Sequence, residues 1–416
     1  MYDPQINEFD IVIAGAGMVG ASLACLLAKS PLRIALIDRK PLVQYKGNNS
    51  SELPSDNFDP RVSAVSQASQ QLFRQLGVWE DMESARVCNY SAMEVWDAEG
   101  TGSIGFSAAQ INQPELGSIV ENSIIIAALH KRIEQLENVF PITPFSIESF
   151  EYIERRDGSI VKLIADDGQA IRAPLVIAAD GASSKLRALA NFECREWDYD
   201  QHALVTTVRT QLPHNNTALQ RFMETGPLAF LPLRAETKDD AQHFCSIVWT
   251  MLPNQAERAM SLSEDEFNAE LAAALESKLG AIEWSDKRFV FPLRQRHALD
   301  YVKESIVLVG DAAHTIHPLA GQGVNLGLLD AKVLAEELQR GIEAGRSVAD
   351  PTVLLRYQRR RKGNNLSMMW LMEGFNRLFA QQDLSIRWLR NIGMSTADKV
   401  MPIKNQMIRK AMGLDS

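Results

Sequence analysis

Hydrophobic positions take three textures along the chain. Short unbroken apolar runs ending in Gly or Asp, "DIVIAGAG", "LRIALIDR", "PLVIAADGASS" and "SIVLVGDAA", read as strands buried on both faces, as in a parallel sheet. Met18 to Lys29, rich in Ala and Leu, reads as a helix between the first two runs. Asp10 to Arg39 therefore predicts a strand–helix–strand unit of about 30 residues. Helical spacing returns in "SAVSQASQQLFRQLGVW", with Gly77 as a stop, then over about Ser123 to Leu136, and in "GVNLGLLDAKVLAEELQRGIEAG". From about Trp197 to Phe291 the texture changes. "HALVTTVRTQL", "GPLAFLPL", "HFCSIVWTML" and "KRFVFPL" read as extended strands, with one helix around Asp265 to Lys278. From Pro351 onward the pattern is helical, and no internal repeat is visible.

This order predicts an α/β fold: a Rossmann-like dinucleotide-binding domain, an inserted sheet-rich substrate domain and a helical C-terminus. The dinucleotide-binding domain is expected to be discontinuous, over 1–75, 100–190 and 291–350. The substrate domain is expected over 76–99 and 191–290, and the C-terminal helical region over 351–416. The polar "YKGNNSSELPSDNFDP" reads as an exposed loop.

Composition narrows the class. A chain of 416 residues, 46% hydrophobic and 23% charged, has the balance of a soluble globular protein. Its formal net charge of −9 argues against a nucleic-acid partner. Cys25, Cys88, Cys194 and Cys245 form no CxxC pair, which argues against structural zinc or disulfides and for a reducing compartment. Asp3, Glu8 and Asp10 stand where a signal peptide would carry positive charge, and no run is long enough to span a membrane. A cytoplasmic protein is expected, with peripheral membrane association compatible.

Gly15-Ala16-Gly17-Met18-Val19-Gly20 matches GxGxxG. Alone the match is weak; following a strand and opening a helix, it reads as a dinucleotide turn. Gly15 would allow the sharp turn, Gly17 the approach of pyrophosphate, and Gly20 close packing of helix on strand. Asp38, ending the second strand, is placed to bond a ribose hydroxyl. Asp180-Gly181 ends another strand, where open α/β sheets bind ligands, although an Asp-Gly pair is also an ordinary turn. The stretch "GDAAHTIHPLAGQGVN" admits two chemical readings. Asp311, His314 and His317 could form a two-histidine, one-carboxylate iron site, but Pro318 prevents the helix that would align them. Backbone N–H groups of "GQGVN" could instead hold the electron-rich edge of a ring, and this reading uses more of the residues. No metal is expected.

GAGMVG, ADG and GDAAH…PLAGQGVN, in this order, resemble the flavin-dependent aromatic hydroxylases. The resemblance implies FAD. It places the ADP moiety on Gly15, Ala16, Gly17, Met18, Val19, Gly20, Asp38 and Arg39, and Asp180 near the pyrophosphate. It places Asp311 on the ribityl chain, and Pro318, Gly321, Gln322, Gly323, Val324 and Asn325 along the isoalloxazine. "DPRVSAVS" is similar to an early arginine segment, which makes Arg61 a flavin contact. "HTIHPLAGQGVNLG" is similar to the ubiquinone-biosynthesis branch. "MEVWDAEG", "IVENSII", "WDYDQHALVTTVRT", "CSIVW" and "IRKAMGL" resemble its 2-polyprenylphenol (2-octaprenylphenol) hydroxylases, which act at ring position five.

The implied chemistry is reduction of FAD by NADPH or NADH and transfer of one oxygen atom of O2 through a flavin hydroperoxide. No catalytic side chain is named by this reading. Phe230, Pro232, Trp249 and His317 are its substrate-pocket candidates. Three rival readings share the motifs: a sibling acting at another ring position, a flavin oxidase or dehydrogenase, and a flavin-binding assembly subunit. Other ubiquinone-biosynthesis proteins, a second copy of the chain and a membrane surface are the expected partners. Met368, Leu371, Met372, Phe375, Leu378 and Phe379 form one apolar helical face with Trp370 off it. Lys399, Lys404, Arg409 and Lys410 follow, so this end either packs on the FAD domain or docks on an anionic lipid surface.

Overall fold

The computed structural model describes residues 8–43, 58–98, 100, 102–155, 158–235, 241–315, 323–380, 405 and 412. The apolar runs form one six-stranded sheet, ordered Val302–Lys303, Ile306–Leu308, Leu175–Ala178, Ile11–Ala14, Ile34–Ile37, Val139–Ile142. Every pairing except that of Val302–Lys303 is parallel. All residues of the three central strands, from Leu175, Ile11 and Ile34, are buried, which is why their sequence is continuously apolar. Helix Met18–Leu27 packs against both Asn122–Ile133 and Gly323–Glu343. The second crossing is close at Gly327, where a Cβ would stand 2.7 Å from Val19 Cγ2.

A second, larger sheet runs in the order His314–Thr315, Phe289–Ala298, Cys194–Thr210, Phe244–Met251, Gly226–Leu233, Thr217–Met223, Ala92–Asp97, Ser103–Ser107. Its two faces meet different partners. Leu204, Leu228, Phe230, Ile247 and Trp249 pack with Ala256, Phe267 and Leu271 of helices Pro253–Ser261 and Glu264–Ala274. Ala229, Leu231, Leu233, Phe244 and Val248 pack instead with Ala64 and Ile119, from the small sheet of Val62–Ser66, Gly117–Glu121 and Val87–Tyr90. That small sheet joins the large sheet to the dinucleotide-binding core.

Several expectations need correction. Ser103–Ser107, expected with the dinucleotide-binding segments, pairs with Ala92–Asp97 in the large sheet. Val78, Trp79, Met82 and Val87, expected in the substrate domain, lie in the core shared with Phe73 and Leu129. Gly77, at φ 72, does end helix Gln67–Leu76 as expected, but the chain beyond it stays in that same core. The helix expected from Ser63 begins at Gln67; Val62–Ser66 is a strand, and the Ser66 side chain caps the helix by accepting from Ser69 N–H. Helix Pro253–Ser261 was not anticipated, although Pro at its first position is a start signal.

The last long helix, Pro351–Ala380, turns Arg361, Asn365 and Met369 inward and leaves Met368 half-buried, while the side chains of Leu371, Met372, Phe375, Leu378 and Phe379 lie outside the described residues. Trp370 is 66% exposed. Lys399, Lys404, Arg409 and Lys410 lie outside the described residues, as does the polar loop Tyr45 to Asn57. Met412 is buried against Ala108 and Leu116, and its carbonyl accepts from Ala68 N–H. Near its end, therefore, the chain returns to pack beside the helix Gln67–Leu76. No helix among the described residues is long and apolar enough to cross a membrane.

His297, buried in the large sheet, bonds Tyr301 Oη through Nε2 at 3.1 Å. Burial, then the charges of His314, Lys362 and Arg195, push its pKa from 6.5 down to about 4. As pH falls, the unfolded chain takes up this proton first. The stability that neutral His297 permits is thus whole above about pH 6.5 and drains toward pH 4. His297→Gln should flatten the fall in melting temperature between these limits. A mutant profile parallel to the parent's would remove His297 as its cause.

Candidate active site

Three distant sequence segments meet at the carboxyl ends of the parallel strands, around a cavity of about 330 Å³. Gly17, Met18 and Val19 supply one wall, Ala179 and Gly181 a second, and Val309, Asp311, Gly323 and Val324 a third. Ser63 and Asn122, joined by a 2.7 Å hydrogen bond, complete the lining together with Thr315.

The three motif glycines do different work. At Gly15, φ 106, a Cβ would lie 2.3 Å from Ala179 O, so the turn must pass against the neighbouring strand. At Gly20 a Cβ would lie 1.9 Å from Gly15 O, so the helix must start directly over the turn. A Cβ on Gly17 meets nothing within 4 Å and points into open space. The helix that begins at Met18 has no side-chain cap and no acidic residue in its first turn. Its positive end is left for an anion.

Two side chains brace this turn. Asp38 Oδ2 accepts from Ala16 N–H at 2.8 Å and Oδ1 from Lys40 N–H at 2.9 Å. Expected on a ribose hydroxyl, Asp38 first holds the protein's own backbone, and any ribose bond would be additional. His130 was not anticipated. Its Nδ1 accepts from Val43 N–H at 2.9 Å, which leaves Nε2 to donate to Ala16 O at 2.7 Å. A single histidine within an amphipathic helix carries no sequence signal for this role.

Asp180 Oδ2 accepts from Lys185 N–H at 2.9 Å and Leu186 N–H at 3.4 Å, at the start of helix Lys185–Leu189. Its Oδ1 is buried without a hydrogen-bond partner, between two neighbours that line the cavity. A buried acceptor left without a donor is costly, which fits a ligand hydroxyl or ordered water there. Asp311 is exposed where it lines the cavity, and the protein packed around it, by displacing water, raises its carboxyl pKa. His314 beside it acts in the opposite direction and Asp330 in the same one.

Other expected contacts fall elsewhere. Arg39 and Arg61 are exposed and are not among the described lining residues. The segment after Arg61 contributes Ser63 instead, because strand alternation turns that side chain inward. Asn325 Oδ1 accepts from Ser66 N–H and Ser69 Oγ, and its Nδ2 donates to Ala64 O. It ties the start of the long helix to strand Val62–Ser66 rather than facing the cavity. Phe230 and Trp249 lie on the helix-covered face of the large sheet, and alternation puts Pro232 on that face too. The face opposite the small sheet carries Leu231, Phe244 and Val248. His317, Pro318, Gly321 and Gln322 lie outside the described residues. His314, one of the three iron-ligand candidates, places Nε2 2.5 Å from Asp330 Oδ2.

A family model described as "FAD binding domain" matches residues 8–368. The chain belongs to this FAD-binding family. It is 35% identical over 405 residues to a protein named 3-demethoxyubiquinol 3-hydroxylase of Escherichia coli (strain K12), covering 97% of this chain and 98% of that one. It is 31% identical over 441 residues to the ubiquinone biosynthesis monooxygenase COQ6, mitochondrial, of Xenopus tropicalis, covering 96% and 92%. The crystal structure of p-nitrophenol 4-monooxygenase PnpA from Pseudomonas putida DLL-E4 superposes with a TM-score of 0.75, covering 98% of this chain and 99% of that one. At 18% identity this last likeness speaks for the fold alone. The chain is an FAD-dependent monooxygenase.

FAD fits the residues present: an uncapped helix start for the pyrophosphate, a glycine opening onto the cavity, and carboxylates at Asp180 and Asp311 for hydroxyls. Asp311→Ala is expected to weaken FAD binding by about 1.5–3 kcal/mol, the range for a hydrogen bond to a charged group. Titration calorimetry of the apoprotein checks this; an unchanged affinity removes Asp311 from the site.

Proposed function

We propose that this enzyme hydroxylates the ring of a polyprenylated phenol in ubiquinone biosynthesis, at ring position five, with NADPH or NADH as reductant. Phenol, O2, NAD(P)H and a proton give the catechol, NAD(P)+ and water. One observation carries the reading: over nearly its whole length the chain is 35% identical to a protein named 3-demethoxyubiquinol 3-hydroxylase and 31% identical to one named ubiquinone biosynthesis monooxygenase.

FAD, when bound, supplies electrons to O2 and so activates it. The chain's own residues bind, orient and dry the site. The Gly17–Val19 turn holds the diphosphate, and Asp311 accepts from a hydroxyl of the linking chain. The names of the two relatives support the pathway. They also favour a second reading, since one is named for hydroxylation at ring position three.

Mass spectrometry of quinone intermediates in a strain lacking this protein decides between them. Accumulated polyprenylphenol without the added hydroxyl supports position five. Accumulated demethoxyubiquinol would move the reaction to position three.

A further inference from the structure

The loop that carries Asp311 to the cavity is held from within by a carboxylate that touches neither cavity nor solvent. Asp330, on helix Gly323–Glu343, is 0% exposed. Its Oδ2 accepts from Gly310 N–H at 3.0 Å and lies 2.5 Å from His314 Nε2, which donates to it. Its Oδ1 accepts from Arg361 Nε at 2.7 Å and Asn365 Nδ2 at 3.1 Å. Arg361, itself 1% exposed, also donates to Asn365 Oδ1 at 2.6 Å. One carboxylate thus takes four donors from two separate elements: the Gly310–His314 loop and the last helix.

A carboxylate in the core is tolerated only when its charge and lone pairs are met, and here both are. Apolar packing alone would be served as well by a leucine. What a leucine could not do is accept from Gly310 N–H and His314 together. Those two residues bracket Asp311, so a single oxygen fixes both ends of the short segment that aims it. Gly310 at φ 59, with Val19 Cγ2 3.1 Å from where its Cβ would be, leaves that segment little alternative path. The arrangement is electrostatically settled: His314 and Arg361 together hold the Asp330 pKa down at about 2 against the effect of burial.

We propose that Asp330, with Arg361 as its counter-ion, is a positioning residue for Asp311 and through it sets the affinity and environment of the bound flavin. The proposal rests on Asp311 being a flavin contact. Asp330→Asn keeps size and shape but replaces one oxygen by an NH2 group. In either amide orientation that group confronts donors: Gly310 N–H and His314, or Arg361 and Asn365.

Tyr357→Phe provides the matched lesion. Tyr357 is also fully buried on the last helix, and its Oη donates to Leu308 O at 2.8 Å and not to Asp330. FAD dissociation constants, bound-flavin absorption spectra and apoprotein melting temperatures are measured for both variants, for Asp311→Ala, and for Asp330→Asn combined with Asp311→Ala. Asp330→Asn should raise the dissociation constant about ten- to hundredfold and shift the flavin bands. Tyr357→Phe should lower the melting temperature while leaving affinity and spectrum unchanged. In the Asp311→Ala background, Asp330→Asn should add no further loss of affinity, since the two act through one contact. Parental affinity in folded Asp330→Asn, equal losses in Tyr357→Phe, or additive losses in the double variant would each overturn the proposal. Parental affinity in Asp311→Ala alone would instead sink the flavin-contact reading on which it rests. If Asp330→Asn does not fold, Arg361→Lys, which keeps the charge but loses the guanidinium fork, takes its place with the same expectation. Parental FAD affinity in that variant overturns the proposal equally.

Discussion

Gly17→Val is expected to give a folded, colourless protein. Gly17 has φ −70 and ψ −176, an extended conformation open to any residue, and its Cβ direction meets nothing within 4 Å. The chain without cofactor should therefore lose little, within about 0.5–1 kcal/mol of the parent. The added branched side chain would instead fill the space through which the helix start reaches the diphosphate. Gly20→Val should behave in the opposite order. Its Cβ would fall 1.9 Å from Gly15 O, so the fold fails before the cofactor is tested. Flavin absorbance per chain, beside circular dichroism of the apoprotein, separates the two. A yellow Gly17→Val protein with the parent's stoichiometry would remove the glycine turn from the cofactor site.

Phe230→Ala is expected to cost about 3–5 kcal/mol of stability while sparing chemistry, as for other buried aromatic truncations. Phe230 is 0% exposed and packs with Phe267 and Leu271 on the face of the sheet turned from the small sheet. Denaturant unfolding should show the loss. FAD affinity and the KM for the phenol, measured well below the melting temperature, should stay at parental values. A raised KM with unchanged stability would return Phe230 to the substrate pocket.

What the sequence disclosed follows from which physical signals are local. The central strands were legible because burial on both faces writes an unbroken apolar run, and their ends were legible because Gly and Asp punctuate them. The GxGxxG turn was legible because three glycines are needed at fixed spacing, Gly15 and Gly20 for contacts that a Cβ would spoil and Gly17 for the open space it leaves beside the cavity. The sheet face was not legible. All eight residues of Gly226–Leu233 are buried, so no alternation distinguishes Phe230 from Leu231. Partners far apart in the chain were equally hidden. His130 braces Ala16 across 114 residues, and nothing in its own helix marks it. Asp330 looks like one more acid in "GLLDAKVLAEEL", and only the fold surrounds it with Gly310, His314 and Arg361. Asn325 was legible as a motif position, but its clamp on Ala64 and Ser66 was not.

On the function proposed above, this chain places one atom of O2 on a polyprenylated phenol. Turnover of the FAD-loaded protein with NADPH or NADH and a polyprenylphenol under isotopically labelled O2, followed by mass spectrometry of the product, tests it most directly. The account predicts one labelled oxygen atom in each hydroxylated ring, with NAD(P)H consumed in equal amount. An unlabelled product, or O2 consumed entirely to hydrogen peroxide while the phenol is recovered unchanged, would contradict it.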